Sequence, residues 1–254
     1  MYKFRDTTSD WHFHEEWLPT VAMSFNGDFI EHLVPGYRTL TVAGREMLGI
    51  ELTTENRFRG SHITSERIPA RELVITYQMS ANTSEELLFR FKQLEKILKT
   101  GKDVPIFFND ERNWTYYGRL SSVEEVPVTT NSVVSSFTIL CGDPRRFGPT
   151  KQISSGLFKG TGDYTILNME FDIDFNRGFV ISNGSQSIRG INVSDENKHH
   201  VRIDFTTFNV YLEGEEHARV LLIDSDFENF KLEDDMVIST TNVRNLVSNY
   251  AEVS

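Results

Sequence analysis

The 254-residue chain is 39% hydrophobic and 25% charged, the balance of a folded protein, and its length suits two domains of about 100–150 residues each. A net charge of −11 argues against a grip on nucleic acid, since an acidic surface is repelled by phosphates, and no apolar run approaches the ~20 residues that span a bilayer. The single cysteine, Cys141, excludes an intrachain disulfide and a multi-cysteine zinc site.

Nineteen Phe, 8 Tyr and 3 Trp place much of the apolar volume in aromatic rings, which suit pleated, half-buried sheet. The first 17 residues have neither an apolar core nor a small-residue cleavage site, so no signal peptide is expected there. Val21–Phe25, Arg38–Val42 and Glu46–Leu52 predict short strands, separated by Asn-Gly and Pro-Gly turns. A charged linker follows. Glu72–Met79 then alternates Leu73, Ile75, Tyr77 and Met79 against Val74, Thr76 and Gln78, a strand pattern.

Thr83-Ser84-Glu85-Glu86 is a capping box, with a hydroxyl for orphan N–H groups and a carboxylate that reaches back. Leu87, Leu88, Phe91, Leu94, Ile97 and Leu98 recur at helical spacing, and Gly101 supplies a stop. The pattern predicts one helix over about 84–100, packing Leu88, Phe91, Leu94 and Leu98 on the neighbouring strands. Val104–Phe108, Trp114–Val123 and Ser132–Cys141 complete an α+β first domain.

The segment Asp143-Pro144-Arg145-Arg146-Phe147-Gly148-Pro149 breaks the pattern, because proline bars continued ladder pairing. The expected division is 1–140 and 141–254. The second part predicts strands at Thr165–Phe175, Gly178–Ser182, Ser187–Val193, Val201–Phe205, Asn209–Leu212, Ala218–Ile223 and Met236–Thr240, the spacing of a β-sandwich. Residues 151–254 carry 9 Lys+Arg against 17 Asp+Glu, so most of the acidic excess lies there.

Catalytic chemistry finds little support. Gly156-Leu157-Phe158-Lys159-Gly160-Thr161-Gly162 is not followed by Gly-Lys-Ser/Thr, so it reads as a loop and not a phosphate cradle. His12 and His14, with Glu15 beside them, share a strand face but have no committed third ligand; His199 and His200 point to opposite faces. The clusters Asp172/Asp174 and Asp224/Asp226/Glu228 lack the glycine-bearing calcium loop and read as solvated strand faces. Cys141 shares a face with Phe137 and Ile139 and reads as a buried thiol. Asn-x-Ser/Thr matches at Asn82, Asn113, Asn183 and Asn192 decide nothing without a secretory route. No catalytic, cofactor-binding or metal-binding residue is assigned.

The order of features is more informative than any motif. Phe25-Asn26-Gly27 precedes the strand Glu72-Leu73-Val74-Ile75-Thr76-Tyr77, then the helix, then Pro105-Ile106-Phe107-Phe108 with Asn109-Asp110. Trp114-Thr115-Tyr116-Tyr117-Gly118-Arg119-Leu120 and Ser136-Phe137-Thr138-Ile139-Leu140-Cys141-Gly142-Asp143-Pro144 follow. Val201-Arg202-Ile203-Asp204, Val210-Tyr211 and Asp224-Ser225-Asp226-Phe227 continue the series. This order resembles the distal tail proteins of long, non-contractile bacteriophage tails. One departure is Arg67-Ile68-Pro69-Ala70-Arg71, which stands where the family often has a Gly-Arg-Asp-Gly-type turn.

The resemblance implies a mainly β protein: a split β-barrel with one helix over 1–140, then a galectin-like β-sandwich over 141–254. It implies a non-enzymatic structural hub at the distal end of the virion tail, made in the host bacterial cytoplasm. The implied assembly is a homo-hexameric ring, single or as two stacked rings, around a channel for DNA passage. The implied partners are the major tail tube protein, the tail-associated lysin or tail-tip hub protein, and adsorption or receptor-binding proteins. No cofactor, membrane or specific nucleic-acid partner is implied. The rival reading is a carbohydrate-binding adsorption module, which needs exposed aromatics such as Tyr164, Tyr211 or Phe179; residues 151–254 contain no Trp. A cell-wall hydrolase lacks its residues.

Overall fold

The computed structural model describes residues 18–126, 130–195 and 197–254. They form two compact units that divide between Arg145 and Arg146.

The first unit contains strands β1 (Met23–Phe25), β2 (Asp28–Phe29), β3 (Tyr37–Ala43), β4 (Glu51–Asn56), β5 (Ser61–Arg67), β6 (Arg71–Ser80), β7 (Val104–Phe108), β8 (Tyr116–Val123) and β9 (Ser132–Cys141). Helix α1 is the short Ile30–Leu33 and α2 is Ser84–Leu98. Seven strands pair antiparallel in the order β2-β1-β7-β8-β9-β6-β3, while β4 and β5 form a separate hairpin. The end strands β2 and β3 do not pair with each other, so the sheet is open and not a closed barrel.

The longest ladder, β6 with β9, runs from Arg71↔Cys141 to Ser80↔Ser132 without a bulge. Strict alternation drives it: Leu73, Ile75, Tyr77 and Met79 all face the core. Tyr37 stacks on Tyr77 at 5.3 Å between centroids, and Phe137 packs on Tyr77 at 5.6 Å.

The capping box forms as the sequence indicates. The Thr83 hydroxyl accepts the Glu86 N–H at 3.2 Å, and the Glu86 carboxylate accepts the Asn82 N–H at 3.0 Å. The buried stripe of α2 is Leu87, Leu94 and Leu98, with Phe91 partly buried against the core. Leu88, expected in that stripe, instead faces solvent at 52% exposure. The reason is phase: Leu87, Leu94 and Leu98 are 7 and 4 residues apart, and Leu88 lies one residue, about 100°, off that line.

The second unit holds β10 (Lys151–Ile153), β11 (Gly156–Leu157), β12 (Asp163–Ile173), β13 (Phe179–Ser182), β14 (Ser187–Gly190), β15 (His200–Asp204), β16 (Asn209–Leu212), β17 (Glu215–Glu216), β18 (Val237–Thr241) and β19 (Val243–Val253). One sheet has the order β10-β19-β12-β15-β16-β17 and the other β11-β18-β13-β14. Both contribute to one core. Phe171 of the first sheet meets Phe179 of the second edge-on at 5.0 Å, as expected for a sandwich. Ala218–Ile223, expected as a strand, begins as the 3-10 turn Ala218–Val220. The eleven-residue β19, absent from the sequence reading, pairs along the length of β12 across two register shifts.

In the first unit, α1 covers part of the free edge of β3. Val34 accepts the Tyr37 N–H at 3.1 Å, and the buried Glu31 carboxylate accepts the Thr39 N–H at 3.0 Å. The second Glu31 oxygen has no hydrogen-bond partner. Burial therefore raises the Glu31 carboxyl above its ordinary value, against the smaller lowering by the Thr39 bond.

Two outcomes follow from this packing. Leu94→Ala should cost about 2–5 kcal/mol while Leu88→Ala stays within about 0.5 kcal/mol, read from urea midpoints at constant m. A raised native carboxyl means that the native state holds its proton longer than the unfolded chain does. Glu31's contribution is thus fully present below the unfolded carboxylate value, about 4.3, and is lost as pH rises through the raised native value. Glu31→Gln should therefore gain stability relative to the parent across that window in a pH series of melts.

Candidate functional site

Most of the chemistry-bearing residues weighed in the second unit already have partners there. His12, His14 and Glu15 lie outside the described residues. His200 Nδ1 lies 3.1 Å from Asp172 Oδ1, whereas His199 Nδ1 lies 3.7 Å from Glu213 Oε1, so the two rings serve different carboxylates. Asp172 also accepts from Asn245 Nδ2 at 2.8 Å, and this bond, then His200, holds its carboxyl below the ordinary range. Asp174 pairs with Arg244 at 3.1 Å, Asp224 pairs with Arg189 at 3.2 Å, and Asp226 accepts the Ser187 N–H at 2.8 Å. Among the described residues no three His, Cys, Asp or Glu side chains are grouped to hold a metal ion.

The glycine-rich segment offers no phosphate cradle. The Gly160 N–H is donated to the Asp234 carboxylate at 3.0 Å, which places a negative charge where an anion would sit, and Phe158 is buried. Cys141 is buried against Gly118, and desolvation pushes its thiol up to about 12, far from a thiolate nucleophile. Of the three candidate sugar platforms, Phe179 is core. Tyr164 packs edge-on against Phe158 and Tyr250, and Tyr211 is half-buried.

The exposed feature of the first unit is the β4–β5 hairpin, every strand residue of which is solvent-exposed. Its register separates two faces. Leu52↔Glu66, Thr54↔Ile63 and Asn56↔Ser61 lie on one; Glu51↔Arg67, Thr53↔Ser65 and Glu55↔His62 lie on the other. The second face is polar and carries the Arg67–Glu51 ion pair at 2.6 Å. The first exposes Leu52 and Ile63, at 51% and 53%. The tip Arg57-Phe58-Arg59-Gly60 closes through an Arg57 N–H to Gly60 carbonyl bond of 3.0 Å, and leaves Phe58 99% exposed. A lone two-stranded hairpin is marginal in water, and this one leaves Leu52 and Ile63 exposed among the polar Thr54, Asn56, Ser61 and Glu66.

Its root is fixed by buried charge. Arg71, at the start of β6, is 6% exposed. Its Nη1 donates to the carbonyls of Gly44 and Arg45 at 2.9 and 3.0 Å, and its Nε donates to that of Pro144 at 2.6 Å. Its guanidinium also lies over the Tyr116 ring at 5.4 Å. Arg45 forms a bidentate pair with Asp110 at 2.7 and 3.0 Å and covers the Phe108 ring at 4.6 Å. Gly44 adopts φ +92°, and a Cβ there would stand 1.9 Å from the Glu72 carbonyl oxygen, so the chain can turn into the hairpin only with glycine at this point.

The sequence reading took residues 53–71 for a charged linker and missed this arm. The turn Arg57-Phe58-Arg59-Gly60 between two threonine-bearing alternations was its signal.

No protein-family model matches the chain. It is similar to the distal tail protein of Bacillus phage SPP1, with 28% identity over 207 residues, covering 75% of this chain and 80% of that one. The crystal structure of the SPP1 Dit (gp 19.1) protein, described as a paradigm of the hub adsorption apparatus in phages infecting Gram-positive hosts, matches with a TM-score of 0.72. That match has 21% identity and covers 93% of this chain and 100% of that one. A chain of the phage p2 baseplate, in its activated conformation with Sr, matches with a TM-score of 0.52 at 8% identity, covering 85% and 90%.

The anchored root carries a stability consequence. Arg71→Met leaves three carbonyls without their charged donor and should cost on the order of 3 kcal/mol in guanidinium unfolding of the full chain.

Proposed function

From the likeness to the distal tail proteins, which holds in sequence and in fold, we propose that this chain is a structural hub of a phage tail tip. Six copies form a ring that joins the tail tube to the host-adsorption apparatus and leaves a channel for DNA. The first unit builds the ring. The second, a galectin-like sandwich, carries docking points for adsorption proteins. The observation that supports this reading most is a relative matched over three-quarters of the chain, whose structure is followed over 93% of it. The role asks for surfaces and not for a catalytic centre, and the carboxylates and histidines engaged within the second unit suit that.

Residues 1–150, which build the ring, carry 17 Lys+Arg against 20 Asp+Glu, a nearly neutral balance that fits a conduit. Lys and Arg on a channel wall would hold phosphates by releasing counterions, whereas an acidic or neutral wall leaves a duplex free to slide. At −11 per chain the assembled copies repel one another, and salt screens that repulsion.

Negative-stain imaging with light scattering of the purified chain should show a six-membered ring with a central hole, formed more fully at moderate than at very low ionic strength. A chain monomeric at every concentration and salt contradicts the reading. Gel shifts with a DNA duplex at physiological salt should show no binding; submicromolar binding contradicts the proposed neutral or acidic channel.

A further inference from the structure

We propose that α1 is a pH-sensitive cover on the open edge of the first unit's sheet, shut when Glu31 carries a proton and loosened when it does not.

The edge has use for a cover. β3 is an end strand, so its outward amides have no ladder partner, and unpaired amides on an edge invite another strand. α1 and the residue after it take two of them. The Tyr37 N–H donates to the Val34 carbonyl at 3.1 Å, and the Thr39 N–H donates to Glu31 Oε1 at 3.0 Å. The ladder with β6 shifts register between Thr39 and Thr41, so the regular stretch of edge ends where the cover ends.

The cover is lightly held. Four residues make one helical turn, too short to stand without tertiary contacts, and Phe29 at its N-terminus forms no side-chain cap. Ile30 and Val34, both fully buried, pin it to the core. Glu31 supplies the remaining tie, and only half of that carboxylate is satisfied. Among the described residues the first unit buries two charged side chains, Arg71 and Glu31. Arg71 finds carbonyls for its Nε and Nη1, whereas Glu31 Oε2 has no partner. A buried carboxylate oxygen without a donor favours the neutral carboxyl, and lifting α1 returns that oxygen to water.

The neighbouring groups do not reverse this preference. His32, on α1 itself, favours the charged form of Glu31, but burial outweighs both His32 and the Thr39 bond. Tyr37 of β3 and Tyr77, stacked on it from β6, are phenols that burial holds above their ordinary value, so both stay neutral across the range that matters. β2 brings Asp28, and β1 brings no titratable side chain. With α1 lifted, Glu31 titrates near the ordinary carboxyl value of about 4.3. Closure is therefore fully favoured below that value, weakens as pH rises through the raised value of the closed state, and levels off above it.

The test is residue-level amide exchange on the full chain between about pH 4.5 and about pH 8, each rate divided by its unstructured rate at the same pH. Protection of the Tyr37 and Thr39 amides should fall severalfold as pH rises. In E31Q it should stay flat at the parent's low-pH level. H32Q should keep the parent's fall, which separates Glu31 from the histidine beside it. Low urea should leave Tyr37 and Thr39 unchanged while speeding the β6–β9 ladder, because a cover opens without wide unfolding. E31M replaces E31Q if that variant does not fold; it loses the Thr39 bond, so its protection should be lower but equally flat.

A flat parent overturns the switch. So does a fall that persists in the folded Glu31 variant, or one that disappears in H32Q. Tyr37 and Thr39 amides that follow the ladder in urea overturn the cover itself.

Discussion

A guanidinium taken out of water must find acceptors for its donors, and Arg71 finds three carbonyls in two separate stretches of chain. It stands at the first residue of the longest strand pairing in the first unit, opposite Cys141, and ties that corner to Gly44, Arg45 and Pro144. Buried charge of this kind is expensive to leave unpaired, so the three segments hold or fail together. The exit from β3 and the last turn of the first unit are thus held by one side chain. Arg45 extends the arrangement by pairing with Asp110 beyond β7.

Much of this fold was legible because local rules agreed with tertiary packing. Thr83 and Glu86 announced α2 through a capping box that forms as written, and the unbroken alternation of Leu73, Ile75, Tyr77 and Met79 announced β6. The failures have equally local causes. In β19, Asn245 takes a positive φ of 54°, and the ladder with β12 shifts register twice, so the inward residues Leu246, Ser248, Ala251 and Val253 do not keep a simple period. Ser248 moreover puts a hydroxyl where the pattern wants an apolar group. Leu88 was misplaced because two adjacent leucines fit a helical stripe almost equally well until the phase is known.

The arm escaped for a deeper reason. Periodicity reports which residues face the chain's own core, and β4 and β5 face none of it. Their alternation is short and interrupted by a register shift between Thr53 and Thr54. An element that packs on none of its own core carries little of that signal, and its composition resembles a linker. The departure noted at Arg67-Ile68-Pro69-Ala70-Arg71 marked the place all the same: it is the return from the arm, and it ends on the residue that anchors the root. Candidate carboxylates and histidines of the second unit are instead taken up by partners within it, Asp172 by His200 and Asn245 and Asp174 by Arg244.

The central claim is that copies of this chain close into the proposed ring. Sedimentation velocity over a concentration series reads that closure directly. The predicted result is one discrete six-copy species that stops growing as concentration rises. A monomer at every concentration, or an open series of ever larger species, would contradict it.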